Sequence, residues 1–437
     1  MSLRQALGFW LKLGFISFGG PAGQIAIMHH ELVERRRWIS ERRFLHALNY
    51  CMLLPGPEAT QLATYIGWLM HRTWGGIVAG GLFVLPSVFI LIALSYVYMA
   101  FGHVPLVAGL LYGVKPAVVA IVLAAGWRIG SRALRHPVLW GISLAAFVAI
   151  YLLHVPFPAI VLAAAALGAL GGRLLPRAFR PGPAHGGAAT GFGPALIDDD
   201  TPTPEHARYG PRRLAAYLAA GLGLWLVPML VLAAVSGWDG TLTQMGLFFT
   251  KAALLTFGGA YAVLPYVYQA AVEHFHWLTA PQMIDGLALG ETTPGPLIMV
   301  VAFVGFVGGW AKALFGPEQL FLAGAAAAFV ASYFTFLPSF LFILVGGPLV
   351  EATHGDLKYT APLTGITAAV VGVVVSLALF FAQHVFWPHG IGGAIDWLSL
   401  AATALALVCL VRFKFGLIPL VGAMAAAGAA LHLAGLA

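Results

Sequence analysis

Charge is what this sequence has least of. Only 9% of its 437 residues are Asp, Glu, Lys or Arg, against about 25% in an ordinary soluble domain. Too few polar side chains remain to cover a water-soluble surface of that size, which argues against a soluble enzyme. Cysteine is nearly absent. Cys51 and Cys409 both lie in apolar runs, which leaves no basis for a disulfide framework. There is no phosphate-binding loop, nucleophile elbow or metal-ligand spacing, so neither ATP hydrolysis by this chain alone nor a metal or other cofactor is expected. The first residues, MSLRQALGFWLKLGF, match a cleavable leader poorly, because they lack a cleavage site and run straight into repeated sequence.

What is abundant is apolar surface. Hydrophobic residues make up 60% of the chain, and they form runs of about 20 residues, each long enough to cross a hydrocarbon core. The net charge of +7 comes from arginine clusters in the loops between these runs and does not point to nucleic acid.

The chain is also duplicated. Residues 9–57 align without a gap on 248–296 at an offset of 239. Lys12 meets Lys251, Phe18-Gly19-Gly20 meets Phe257-Gly258-Gly259, Val33-Glu34 meets Val272-Glu273, and Trp38 meets Trp277. Pro55-Gly56-Pro57 meets Pro294-Gly295-Pro296, and beyond them, at an offset of 252, Leu85-Pro86-Ser87 meets Leu337-Pro338-Ser339. Four units follow: a first repeat at 1–175, a linker at 176–211, one extra apolar span at 212–236, and a second repeat at 237–437. The linker holds seven prolines, six glycines and Asp198-Asp199-Asp200, a composition that reads as flexible.

If each repeat crosses an even number of times, the extra span turns the second repeat upside down. The expected fold is therefore an all-α polytopic membrane protein of two inverted repeats. Each has two re-entrant, broken helical hairpins followed by about four crossings, with hairpins at 6–33, 44–71, 241–272 and 281–311. With the N-terminus inside, 19 of the 23 basic residues fall on the cytoplasmic side, as the positive-inside rule requires. Five arginines follow the first hairpin and none follows its counterpart. The basic connector at 33–44 is expected to rest on anionic lipid headgroups.

The interruptions are the candidate site. A half-helix starts after each, with unpaired N–H groups and a positive dipole end, and four such ends meeting at mid-membrane would cradle an anion. The residues expected to line it are Gly19, Gly20, Pro55, Gly56 and Pro57 in the first repeat, and Gly258, Gly259, Thr292, Thr293, Pro294, Gly295 and Pro296 in the second. The alternative is that these residues only pack or kink helices. Lys12, Lys251 and Lys115 lie in apolar segments, where a cation is costly and commonly functional. They are candidate anion contacts, with snorkelling as the alternative for Lys12 and Lys251. Glu58 and Glu291, beside the Pro-Gly-Pro motifs, are candidates for proton coupling, or else structural hydrogen-bonders.

FGGP at 18–21, the connector ending in Trp38-Ile39-Ser40, and LLPGPEATQLATYIG at 53–67 resemble the N-terminal signature of the chromate ion transporter family. LLTFGGAYAVLPY at 254–266 with ETTPGPL at 291–297 is similar to its C-terminal copy, although FGGA replaces FGGP. The resemblance implies the long, two-domain form of an exporter in a bacterial-type inner membrane. Its substrate would be chromate, with sulfate as a chemically similar competitor, and its driving force the membrane potential or a proton gradient. The expected partners are such an oxyanion, membrane lipids and a second copy of the chain. A passive anion channel built on the same tips remains open, as does a membrane-embedded enzyme using Glu31, Glu34, His29 and His30.

Overall fold

A computed structural model describes residues 3–18, 20–179, 192–202, 204–208, 210–257, 259–352 and 360–435. Among them all regular structure is helical apart from one isolated parallel bridge between Ile39 and Ile197.

The breaks read from the sequence are breaks in the chain. Helix α1 (Leu3–Ile16) stops before FGGP and α2 (Gly20–His29) starts within it; α3 (Glu41–Cys51) and α4 (Glu58–Phe101) flank the first Pro-Gly-Pro. After α5 (Pro105–Ala133), α6 (Pro137–Tyr151), α7 (Phe157–Leu174) and the extra helix α8 (Pro211–Ser236), the pattern recurs. Helices α9 (Thr241–Leu255) and α10 (Ala260–Tyr268) flank FGGA, and α11 (Ala280–Thr292) and α12 (Val300–Ala311) flank the second Pro-Gly-Pro. The chain ends with α13 (Leu320–Ala352), α14 (Thr360–Phe386), α15 (Trp397–Val411) and α16 (Leu417–Leu433).

The first arms fold back as expected. Helix α2 runs into a π-helical turn at His30–Arg35, and α10 into one at Gln269–His274, at the repeat offset. One left-handed residue follows each, Arg37 (φ 56°) and His276 (φ 50°). Trp38 then lies against Phe9 and Trp10, with ring centroids 4.8 and 6.4 Å apart, and Trp277 lies 5.8 and 5.9 Å from Phe248 and Phe249. Residues 20–35 span about 24 Å of helix, so such contacts require the chain to double back. The second arms do the same, since Arg43 on α3 and Tyr65 on α4 both reach Glu351. Helix α4 is two helices in sequence. His71 and Arg72 leave helical geometry, and the chain returns along itself. The approach is so close that a Cβ on Gly67 would lie 2.4 Å from the Gly75 carbonyl oxygen.

Among the described residues, six helices are long and apolar enough to cross a membrane: α4, α5, α7, α8, α13 and α14. The expected four full crossings per repeat fall short in α6, α15 and α16, which have 15, 15 and 17 residues. Fifteen residues reach about 22 Å, less than the roughly 30 Å of a hydrocarbon core. These short helices lean on long ones. Helices α6 and α7 pack on α14 of the other repeat, α15 and α16 pack on α5, and α5 and α14 pack on each other. Small residues let the backbones touch. A Cβ on Gly113 would meet Met424 O at 2.0 Å, and one on the equivalent Gly365 would meet Ala164 O at 2.4 Å. Outside, α8 exposes Leu218, Leu222, Val227, Val231 and Val235, a solvent-facing surface that suits lipid and not water.

The described part of the 176–211 linker is docked, not free. Leu196 and Ile197 N–H groups donate to Arg37 O and Trp38 O, Ser40 N–H donates to Ile197 O, and the Ser40 hydroxyl donates to Asp199 at 2.6 Å. Hydrogen bonds from the Ala195 and Asp199 N–H groups hold the Asp198 carboxylate below its ordinary range. The same contacts revise the expectation for the connector. Arg35 and Arg36 pair with Glu31, and Arg36 also stacks on Phe9 and Trp38. Arg37 bonds Val33 O and packs on Phe192. Several of these arginines therefore serve the protein itself as well as facing its surroundings.

Gly113→Leu is expected to destabilise the detergent-solubilised protein by about 1–3 kcal/mol or more through overpacking. Gly141→Leu, where a Cβ meets nothing within 4 Å, should leave the thermal unfolding midpoint unchanged. Equal midpoints for the two variants would contradict the packing of α5 on α16.

Candidate functional site

The four interruptions meet. Gly56 N–H donates to Thr256 O at 2.8 Å, and Gly295 N–H donates to Ser17 O at 2.7 Å. Gly56 and Gly295 are repeat equivalents, as are Ser17 and Thr256. Each Pro-Gly-Pro therefore closes on the carbonyl just before the other repeat's Phe-Gly-Gly. Only glycine serves at these points. Gly56 has φ 121° and Gly295 φ 102°, and a Cβ would lie 2.4 Å from Ser339 Oγ in the first case and 1.7 Å from Ser87 Oγ in the second. Ser87 and Ser339 are themselves equivalents, from the Leu-Pro-Ser motif. The Ser87 hydroxyl donates to Pro294 O, the Gln24 amide donates to Gly295 O, and the Gln61 amide donates to Pro55 O at 2.8 Å.

The Gly56 and Gly295 N–H groups are engaged across the junction, because unpaired backbone inside a bilayer is too costly to leave open. What stays open is a set of side-chain groups. Ser17 Oγ, Thr60 Oγ1, Ser339 Oγ, Gln24 Oε1 and Gln61 Oε1 are buried without a hydrogen-bond partner among the described residues. Native structures leave few such atoms, and each calls for an explanation. The three hydroxyls can donate to an anion and the two amide oxygens can accept from water. The helices that begin at Glu58, Ala260 and Leu297 carry no side-chain cap, since Pro57, Gly259 and Pro296 precede them.

The other predicted residues divide. Gly20 is left-handed (φ 72°) with open space around it, as is Gly259 (φ 97°), while Gly19 and Gly258 lie outside the described residues. Thr292 and Thr293 turn their hydroxyls onto their own helix, bonding Ala288 O, Leu289 O and Gly290 O. Glu291 is buried and accepts from Tyr261 OH at 2.5 Å. Glu58 has no hydrogen-bond or ion-pair partner among the described residues. Lys12 is exposed, on the α1 face that also exposes Leu7, Leu11, Phe15 and Ile16. Lys251 is exposed beside Leu254. Neither lysine makes an ion pair, and the junction is built without them. Lys115 lies 3.7 Å from Asp285, whose other oxygen accepts from Tyr98 OH at 3.0 Å.

Ser17, Gln24, Ser339, Asp285 and Glu351 were not picked out as site residues by sequence reasoning. Asp285 and Glu351 had a readable signal, since each is an acid inside or at the end of an apolar helix. Gln24 and Ser339 are ordinary in sequence, and only the meeting of the repeats gives them a role. Glu34, a candidate for the enzyme reading, is held by His29 and His30 at 3.1 and 2.8 Å.

The family model described as chromate transporter matches residues 4–169 and 243–430, so it covers most of both repeats and omits the linker and all of α8. The chain is 35% identical to a chromate transport protein of Pseudomonas aeruginosa, over 88% of this chain and 82% of that protein. It is 30% identical to one of Cupriavidus metallidurans, over 88% and 83%, and 28% identical to a probable chromate transport protein of Synechococcus elongatus, over 88% and 85%. No solved structure matches. Matched along both repeats, and through every interruption that builds the junction, the chain belongs to the chromate transporter family.

Proposed function

We propose that this protein is a secondary transporter that exports chromate, and competitively sulfate, across a bacterial-type inner membrane, and that the anion passes through the junction of the four interruptions. The carrying observation is the set of buried, unpartnered hydroxyls of Ser17, Thr60 and Ser339 beside uncapped helix starts. A tetrahedral dianion of about four oxygens would accept from several donors at once, and charge-assisted bonds of this kind are the strong ones. The relatives named as chromate transport proteins favour this anion.

Inversion of the repeats is part of the same reading, and contacts at the two ends of the molecule support it. The first repeat's second hairpin has its open end beside Glu351, at the C-terminal end of α13. The second repeat's equivalent has its open end beside the C-terminal end of α4, where Trp310 and Phe321 pack on Tyr96 at 5.9 and 5.3 Å. If α4 and α13 both cross, these open ends lie on opposite sides. Glu58 is the candidate for proton coupling, because its carboxyl group has no partner to fix its charge and sits where the first half-helix begins.

Purified protein in liposomes should accumulate chromate along an imposed voltage or pH gradient, with sulfate competing. Counterflow without net current would set a carrier apart from a channel, and absence of chromate flux would sink the reading. Thr60→Val should raise the half-saturating chromate concentration about tenfold or more, the loss expected of a hydrogen bond to a charged group. Thr64→Val, whose hydroxyl already bonds Thr60 O, should change it little; matching values for the two variants would remove Thr60 from the site. Glu58→Gln should leave voltage-driven flux in place while abolishing its response to a pH gradient, and a retained response would assign coupling elsewhere.

A further inference from the structure

Two ionic clusters stand on either side of the junction, and each ties one repeat to the other. In the first, Arg43 Nη1 lies 3.7 Å from Glu351 Oε2, and Tyr65 OH donates to Glu351. In the second, Lys115 Nζ lies 3.7 Å from Asp285 Oδ1, and Tyr98 OH donates to Asp285. The composition is the same in both: an acid from the second repeat, and a cation and a tyrosine from the first.

Their places in the fold correspond as well. Arg43 lies in the entering arm of the first repeat's second hairpin, and Asp285 lies in the entering arm of the second repeat's. Tyr98 and Glu351 sit at the C-terminal ends of α4 and α13, the long helices that follow those hairpins. Yet the residues are not duplicates. At the repeat offsets Arg43 faces Gln282, Asp285 faces His46, Tyr98 faces Val350, and Lys115 faces Thr367. Copying one ancestral cluster would have left matching residues. Here the same chemistry occurs at matching places from different residues, which points to a requirement at both ends of the path.

The geometry of each pair suits a contact that opens. A separation of 3.7 Å is too long for a hydrogen bond, and each pair leaves one buried atom unsatisfied, Arg43 Nη1 and Asp285 Oδ1. An ion pair drawn out of water gains little over its separately hydrated charges, and Lys115 already keeps 31% of its side chain exposed, so wetting either end exchanges attraction for hydration at small net change. We infer that Arg43–Glu351–Tyr65 and Lys115–Asp285–Tyr98 are the two gates of the transport path, each closing one side of the junction and both closed in this structure. The inference rests on the transport reading but not on the identity of the anion.

The test is accessibility. Cys51 is fully buried eight residues inward of Arg43 and serves as a native reporter in a Cys409→Ser background. Thr292→Cys, added to a Cys51→Ser, Cys409→Ser background, reports from seven residues inward of Asp285. Labelling by a membrane-impermeant maleimide is measured from each side of oriented vesicles. Glu351→Gln should speed Cys51 labelling about tenfold or more from one side only, as expected when a contact stops biasing a two-state equilibrium. Asp285→Asn should do so for Thr292→Cys from the opposite side. The exchanged pair Arg43→Glu with Glu351→Arg should restore slow labelling, which a mere folding defect would not do. Unchanged labelling in both single variants, or acceleration from the same side in both, overturns the gates. One-sided labelling without chromate flux would retain the gates and reject the substrate.

Discussion

Two backbone hydrogen bonds, from Gly56 to the Thr256 carbonyl and from Gly295 to the Ser17 carbonyl, carry the centre of this molecule. A helix interrupted inside lipid exposes peptide groups that no solvent there can satisfy. The protein places four interruptions together so that each repeat supplies what the other lacks. Glycine is required at the donors because the approach leaves no room for a Cβ, and the flanking prolines have no N–H to be orphaned.

The rest of the architecture brings those interruptions into register. Duplicated π turns and the returning Trp38 and Trp277 set where the first arms come back. Helices α5 and α14 cross at the middle, and each is flanked by the other repeat's last two helices. Once the backbone is satisfied, the polar groups left over are side chains, and their hydroxyl protons can turn toward an incoming anion without undoing any helix. On the proposed reading, a rigid backbone junction with rotatable donors would separate holding the fold from binding the substrate.

The sequence was most legible where duplication spoke. Both Phe-Gly-Gly and both Pro-Gly-Pro motifs are helix breaks, and the hairpin bounds fall within a few residues of the helix ends. Glycine and proline act locally, so their effect survives without knowledge of the partner. Pairing of Lys115 with a carboxylate was half legible: the lysine stood out as a charge in an apolar run, but Asp285 lies 170 positions away. The partners of the Gly56 and Gly295 N–H groups were hidden for the same reason, since their acceptors belong to the opposite repeat. Docking of residues 192–208 was hidden by composition, because a proline-rich strand can lie against a surface as readily as hang free. Lys12 and Lys251, matched by repeat, are both exposed, and repeat matching alone did not distinguish a site residue from a surface one.

The crossed glycine bonds also constrain ancestry. One repeat by itself would present a glycine N–H and a carbonyl to hydrocarbon with nothing opposite. A half-length form of this fold would therefore need a second copy opposite it to satisfy both groups, which the joined repeats supply within one chain.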